Sequence, residues 1–221
     1  MGHEAKHEET GVSDDWYRNS DWSEDIESRF FEKLARSRSQ KPSYLYIQAH
    51  SLQETHPSKC LELIEQWAEL DCNFRTAEIH CVKGRALWTL GDLVRASQAY
   101  KVALDWDAKR PSKSWAHQEY PQFVALGKLT KEYDLAFDTI EASGADASNT
   151  FPFVRHPWNA SAAMIFERLG DREGAIELAQ IALRAWEAIP SEYKPEGDMS
   201  LFSKAVLEAV TRIAKGDVQC N

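Results

Sequence analysis

The sequence predicts an all-α fold, and three observations carry that prediction. Apolar residues recur at helical spacing along nearly the whole chain. No run of alternating β-branched and polar residues reads as a strand. An apolar share of 43%, with eight tryptophans, suffices for a packed core and excludes a wholly disordered chain. At 221 residues the chain is long for one globular domain and ordinary for a small array of helical units.

Residues 1–22 form an acidic segment, and its first thirteen show no pattern that demands order. From Asp14 the text changes, with Trp16, Tyr17 and Trp22 set among polar neighbours. Ser23 suits a helix N-cap, and Ile26, Phe30, Phe31 and Leu34 share one face of a helix within residues 23–40. Carboxylates crowd its start, and Arg29, Lys33, Arg36 and Arg38 its later turns, as the helix dipole favours. A dipole-matched surface helix explains that basic run more simply than a binding patch.

Ala77–Arg110 is a 34-residue unit with Gly84 at its eighth place, Leu87 at the eleventh, Ala96 at the twentieth, Tyr100 at the twenty-fourth and Ala103 at the twenty-seventh. Small residues at Gly84 and Ala96 let two antiparallel helices approach, and Leu87, Tyr100 and Leu104 fill the space beside them. Gly91 suits the left-handed conformation that ends a helix, and Asp92 suits capping the next. Three weaker copies have compatible spacing. Residues 41–74 carry Tyr44, Cys60 and Trp67 at matching places. In residues 117–150, Glu132 to Ala136 reads as the turn and helix start, and Gly144 closes the pattern early. In residues 156–189, Leu169-Gly170-Asp171 repeats Leu90-Gly91-Asp92, with Ala163, Phe166, Ala175, Ala179 and Ala182 at the packing places.

This spacing resembles the tetratricopeptide repeat, a helix–turn–helix unit. The resemblance spans residues 41–189 and implies a right-handed α-solenoid of about four hairpins (41–74, 77–110, 117–150 and 156–189). Such arrays need covered ends. The helix in residues 23–40 is expected to cap the first unit, with Trp16 and Trp22 folded over it; the alternative makes these tryptophans docking anchors. After a loop at residues 190–197, Leu201, Phe202, Ala205, Val206, Ala209, Val210 and Ile213 predict a closing helix within residues 198–216. The N-terminal block followed by SYLYIQAHSLQETHP also resembles uncharacterised bacterial tetratricopeptide proteins with a Trp-rich start, which implies no activity. The chain departs from the family pattern in lacking a proline at the thirty-second place of every unit. Pro121 is expected to delay the first helix of the third unit to about Tyr120, since proline is tolerated only in a first turn.

Charge is concentrated at one end. Residues 1–27 hold nine carboxylates against Lys6 and Arg18, a balance of −7 in a chain totalling −9. Net acidity argues against nucleic acid as a partner, because phosphate contacts need clustered Lys and Arg. No segment approaches the roughly 18 consecutive apolar residues of a membrane helix, and the start lacks the pattern of a signal peptide. Cys60, Cys72, Cys81 and Cys220 match neither a disulfide framework nor a paired zinc site, so a reducing cytoplasm is the expected location.

Catalytic signatures are missing: the chain has no phosphate-cradling glycine loop, nucleotide fingerprint or nucleophile elbow. His3 and His7 stand four apart on a polar terminus, and Cys72, His80 and Cys81 lack an evident fourth ligand. The expectation is a non-catalytic protein without cofactor or metal. By resemblance, its partner is a peptide or helix held on a concave wall lined by the first helix of each unit. Transferring the family's wall places gives Leu45, Ala49, Leu52 and Gln53; Glu78, Cys81, Arg85, Trp88 and Thr89; Gln118, Ala125, Lys128 and Leu129; and Ala160, Met164, Glu167 and Arg168. Arg85 and Trp88, one turn apart, are the expected anchors; packing of Trp88 on its neighbouring unit is the equal alternative. Cys81 and Arg85 replace the Lys and Asn of the chaperone-type carboxylate clamp, which sets that function aside. Two other readings stand beside the adaptor: an inhibitor or immunity protein acting partly through its acidic N-terminal block, and a self-associating solenoid.

Overall fold

Every regular element among the described residues of the computed structural model is a helix. These residues are 15–70, 73–142, 151–194 and 201–217. They form two compact units, Met1–Cys72 and Asn73–Asn221.

In the first unit, α1 (Glu24–Arg36) is capped by Ser23, whose side chain accepts from the Ile26 amide. Helices α2 (Lys41–Leu52) and α3 (Pro57–Ala68) pack as a hairpin. Both begin with a proline in their first turn, where the missing N–H costs no hydrogen bond. Leu45, Ala49 and Leu52 on α2 and Cys60, Leu63, Ile64 and Trp67 on α3 are all buried. Residues 15–22 tie into this unit. The Asn19 amide and Nδ2 both donate to Gln48 Oε1 at 3.1 Å, Gln48 Nε2 donates to the Asn19 carbonyl at 2.7 Å, and Thr55 Oγ1 donates to the Ser20 carbonyl at 2.8 Å.

The second unit contains α4 (Thr76–Thr89), α5 (Leu93–Asp107), α6 (Ala116–Leu126), α7 (Tyr133–Ala142), α8 (Pro152–Leu169), α9 (Arg172–Glu187) and α10 (Leu201–Ala214). Helices α4/α5, α6/α7 and α8/α9 pair, and α4, α6, α8 and α10 pack in succession. Two turns match bond for bond. Gly91 (φ 80°) and Gly170 (φ 86°) are left-handed. The following Asp92 and Asp171 amides reach back to the Leu87 and Phe166 carbonyls at 2.9 and 3.1 Å, and their carboxylates cap Arg95 and Gly174. The turn between α6 and α7 repeats the motif with Lys128 (φ 55°) in the left-handed place and the Leu129 amide bonded to the Val124 carbonyl. A 3-10 turn at Thr130–Glu132 then precedes α7. That insertion explains the third unit's irregular pattern: its first helix lies three residues out of step with its second.

One boundary differs from expectation. Helix α6 starts at Ala116 rather than near Tyr120, so Pro121 lies inside it. An internal proline strands the carbonyl four residues back. Here that carbonyl, of His117, accepts from Trp158 Nε1 on α8 at 3.3 Å. The neighbouring helix supplies the donor that the proline removes. Helix α8 likewise begins at Pro152, four residues before the repeat spacing starts, and contains Pro157. Among the described residues, no helix is long and apolar enough to cross a membrane.

Candidate functional site

The expected partner wall of α4 is turned inward. Glu78, Cys81, Arg85 and Trp88 share one helical face, and each meets a residue of the segment leading into α6 or of α6 itself. Arg110 donates to Glu78 at 3.3 Å, Cys81 Sγ lies 3.4 Å from Ser114 Oγ, and Arg85 pairs with Glu119 at 3.2 Å. The Trp88 ring packs edge-on against Phe123 at 5.2 Å, with the Arg85 guanidinium 5.6 Å from its centroid. The ladder runs in the same direction on both strands of contact, so α4 and α6 are parallel. Arg85 is only 8% exposed. Thr89 bonds its own helix, donating to the Arg85 carbonyl.

The connection between α5 and α6 is pinned by Asp107, which is itself buried. Its carboxylate accepts from the Ser114 amide at 2.9 and 3.0 Å and from Ser114 Oγ at 2.7 Å. Lys113 Nζ donates to the Asp107 carbonyl at 2.6 Å. Burial, seconded by Glu119, pushes the Cys81 thiol up, so it stays protonated. Burial also raises Cys60. Neither sulfur has the thiolate character that nucleophilic chemistry or metal binding needs.

Two carboxylates organise the interior between these hairpins. Glu119 takes the Arg85 ion pair and accepts from Tyr100 OH at 3.1 Å. Glu132 accepts from Ser97 Oγ at 2.8 and 2.7 Å and from Tyr120 OH at 2.7 Å, and pairs with Lys101 at 3.1 Å. Burial pushes the Glu132 carboxyl up, but the bonds from Tyr120, Ser97 and Lys101 outweigh it and hold the group below its usual range. Paired with cations and hydroxyls contributed by neighbouring helices, these carboxylates position helices.

The α8 positions are closed in the same way. Met164 is buried, and Glu167, 5% exposed, receives both Arg212 nitrogens from α10 at 2.6 and 2.7 Å. Arg168 is half-buried and lies near enough to influence Tyr133. Gln118 is half-buried on α6 beside His117. Lys128, expected on a first helix, lies in the turn after it. In the first unit, Trp16 packs on Phe30 and Tyr44 at 5.4 and 4.8 Å, and Trp22 on Phe30 at 5.6 Å. His3, His7, Cys72 and Cys220, and most of the acidic block, lie outside the described residues.

A different surface emerges at the opposite ends of the same helices. The Phe137–Phe166 and Ile140–Trp158 packing sets α7 antiparallel to α8, so α8 runs parallel to α6 and thus to α4. The connections that lead into these helices therefore lie along one edge of the second unit. That edge bears Trp115 (53% exposed), Phe151 (69%) and Phe153 (51%). Phe151 and Phe153 stack on one another at 5.5 Å with their planes 9° apart. Sequence reasoning passed over all three because they fall between the repeat-spaced segments. Their one signal was an aromatic residue beside proline or serine, where no helix core explains it. Among the described residues, no three His, Cys, Asp or Glu side chains converge as metal ligands would. Comparison with family models, curated proteins and solved structures finds no match, so the tetratricopeptide resemblance rests on the residues alone.

Proposed function

We propose that this chain is a non-catalytic helical-repeat scaffold, a solenoid of the tetratricopeptide kind, that holds a partner protein on the connection edge of its second unit. Three recurring left-handed turns and the parallel succession α4, α6 and α8, with α10 packed next to α8, support the repeat reading. The observation that carries the function is the exposure of Trp115, Phe151 and Phe153 on one edge. Aromatic residues are enriched at the cores of protein interfaces, and leaving three of them in water forgoes their burial. The inner-wall residues do not fill that role, because Arg85, Glu167 and their partners are already spent on one another.

Affinity capture from the source cell tests this. The paired change Trp115→Ala and Phe151→Ala should remove the captured partner while leaving the helical circular dichroism intact. Arg85→Ala should instead destabilise the unit, since it strands Glu119. If the edge variant captures the same proteins as the parent, the edge is not the contact. Loss of a dimer in light scattering would identify the partner as a second copy.

A further inference from the structure

At the same edge, a cavity of about 250 Å3 opens between the end of α5, the start of α6 and α7. Leu104, Ala108, Leu135 and Ala142 give it largely apolar walls. An apolar cavity of about 150 Å3 already holds a benzene ring, so this one has room for a ring on a short tether and not for a cofactor. His117 stands on the wall, with Nδ1 sealed from water and so out of reach of an incoming group. Burial holds this ring's pKa below its ordinary value, so at neutral pH it adds no charge to the wall. The rim is acidic. Asp134, Asp138 and Glu141 follow one another along α7, exposed and without an ion-pair partner among the described residues. Lys113, on the far side, is committed to the Asp107 and Arg110 carbonyls.

We propose that this cavity receives one aromatic side chain of a partner segment that carries a lysine or arginine beside it. The ring fills the apolar space, and the neighbouring cation lies beside Asp138 on α7. The assignment rests on the scaffold reading and adds to it the chemistry of the bound segment.

The probes are N-acetyl-Tyr-Lys-amide, N-acetyl-Tyr-Gln-amide and N-acetyl-Ala-Lys-amide, titrated to about 10 mM into the full chain, the range a single anchoring side chain commands. Amide chemical shifts are the readout. The Tyr-Lys probe should give saturable shifts at Leu104, His117 and Leu135; the Ala-Lys probe should give none; the Tyr-Gln probe should bind about threefold more weakly. Asp138→Asn should erase the preference for lysine. Ala142→Trp, on an exposed wall position, should abolish binding without changing the circular dichroism. A cavity that shows no saturable shift with the Tyr-Lys probe overturns the proposal. Equal binding of the Lys and Gln probes removes the basic partner from it. Either failure is distinct from failure of the scaffold reading, which shows only in the Trp115 and Phe151 capture experiment.

Discussion

Gly84 explains how two helices of the second unit reach their spacing. A Cβ at this position would lie 2.9–3.0 Å from three atoms of the Tyr100 ring. That ring is fully buried and its hydroxyl is bonded to Glu119, so it has little freedom to retreat. The eighth and twenty-fourth places are Gly and Tyr here, but Ala163 and Ala179 in the α8/α9 pair, where both are fully buried. One pairing joins the smallest residue to a large ring; the other shares the volume evenly. Gly84→Ala gains about 1 kcal/mol of helix propensity and incurs roughly 1–3 kcal/mol of overpacking. We expect a net loss of about 1 kcal/mol, read as a lower urea midpoint at unchanged slope. An unchanged midpoint would mean that the Tyr100 ring swings aside. Both Gly84 and the Tyr100 ring beside it were legible from their places in the repeat; the Glu119 bond that holds the ring there was not.

The three turns of the second unit differ in how openly they advertise themselves. Gly91-Asp92 and Gly170-Asp171 pair a residue that tolerates positive φ with one that caps, so both were readable. The α6–α7 turn places Lys128 at positive φ, directly after a glycine that keeps ordinary helical angles. An L side chain pays roughly 1–2 kcal/mol for that conformation. Lys128→Gly is therefore expected to raise stability by about 1 kcal/mol in urea unfolding, whereas Gly91→Ala should lower it by a similar amount. A destabilised Lys128→Gly would show that the lysine side chain makes a contact worth more than the strain. Pro121 belongs with this turn. Local rules place a helix start at the proline, and Trp158, 37 positions further along, supplies the missing donor.

Across the second unit, one histidine lies in each of α4, α6 and α8: His80, His117 and His156. Burial lowers the pKa of all three from the ordinary 6.5, with Lys83 adding to the effect at His80. At His156 the Ala182 carbonyl, 3.0 Å from Nδ1, opposes the shift without cancelling it. The unfolded chain then binds more protons than the folded one below the ordinary value. Stability is full above about pH 6.5 and falls as the pH drops through it. Urea unfolding should give matching midpoints at about pH 8 and 7 and a lower one at about pH 5.5, with His156→Gln reducing the drop. Midpoints that stay level to pH 5.5 would refute the buried, neutral state.

The all-helical class, the hairpin spacing and two of three turns in the second unit were legible because they depend on residues within one or two helical turns of each other. Periodicity, capping and left-handed glycine are local properties. The candidate site was not legible in the same way. The family's places left Trp88 equally an anchor or a ring packed on its neighbouring unit, because spacing does not say which residue stands opposite. Glu119 and Phe123, brought in by α6, close that wall, and Arg212, brought in by α10, closes the wall at Glu167. The exposed rings of Trp115, Phe151 and Phe153 come to share an edge only because parallel helices align their starting points. A chain writes its own periods and turns locally; which of its faces stay open is decided by partners contributed from distant positions.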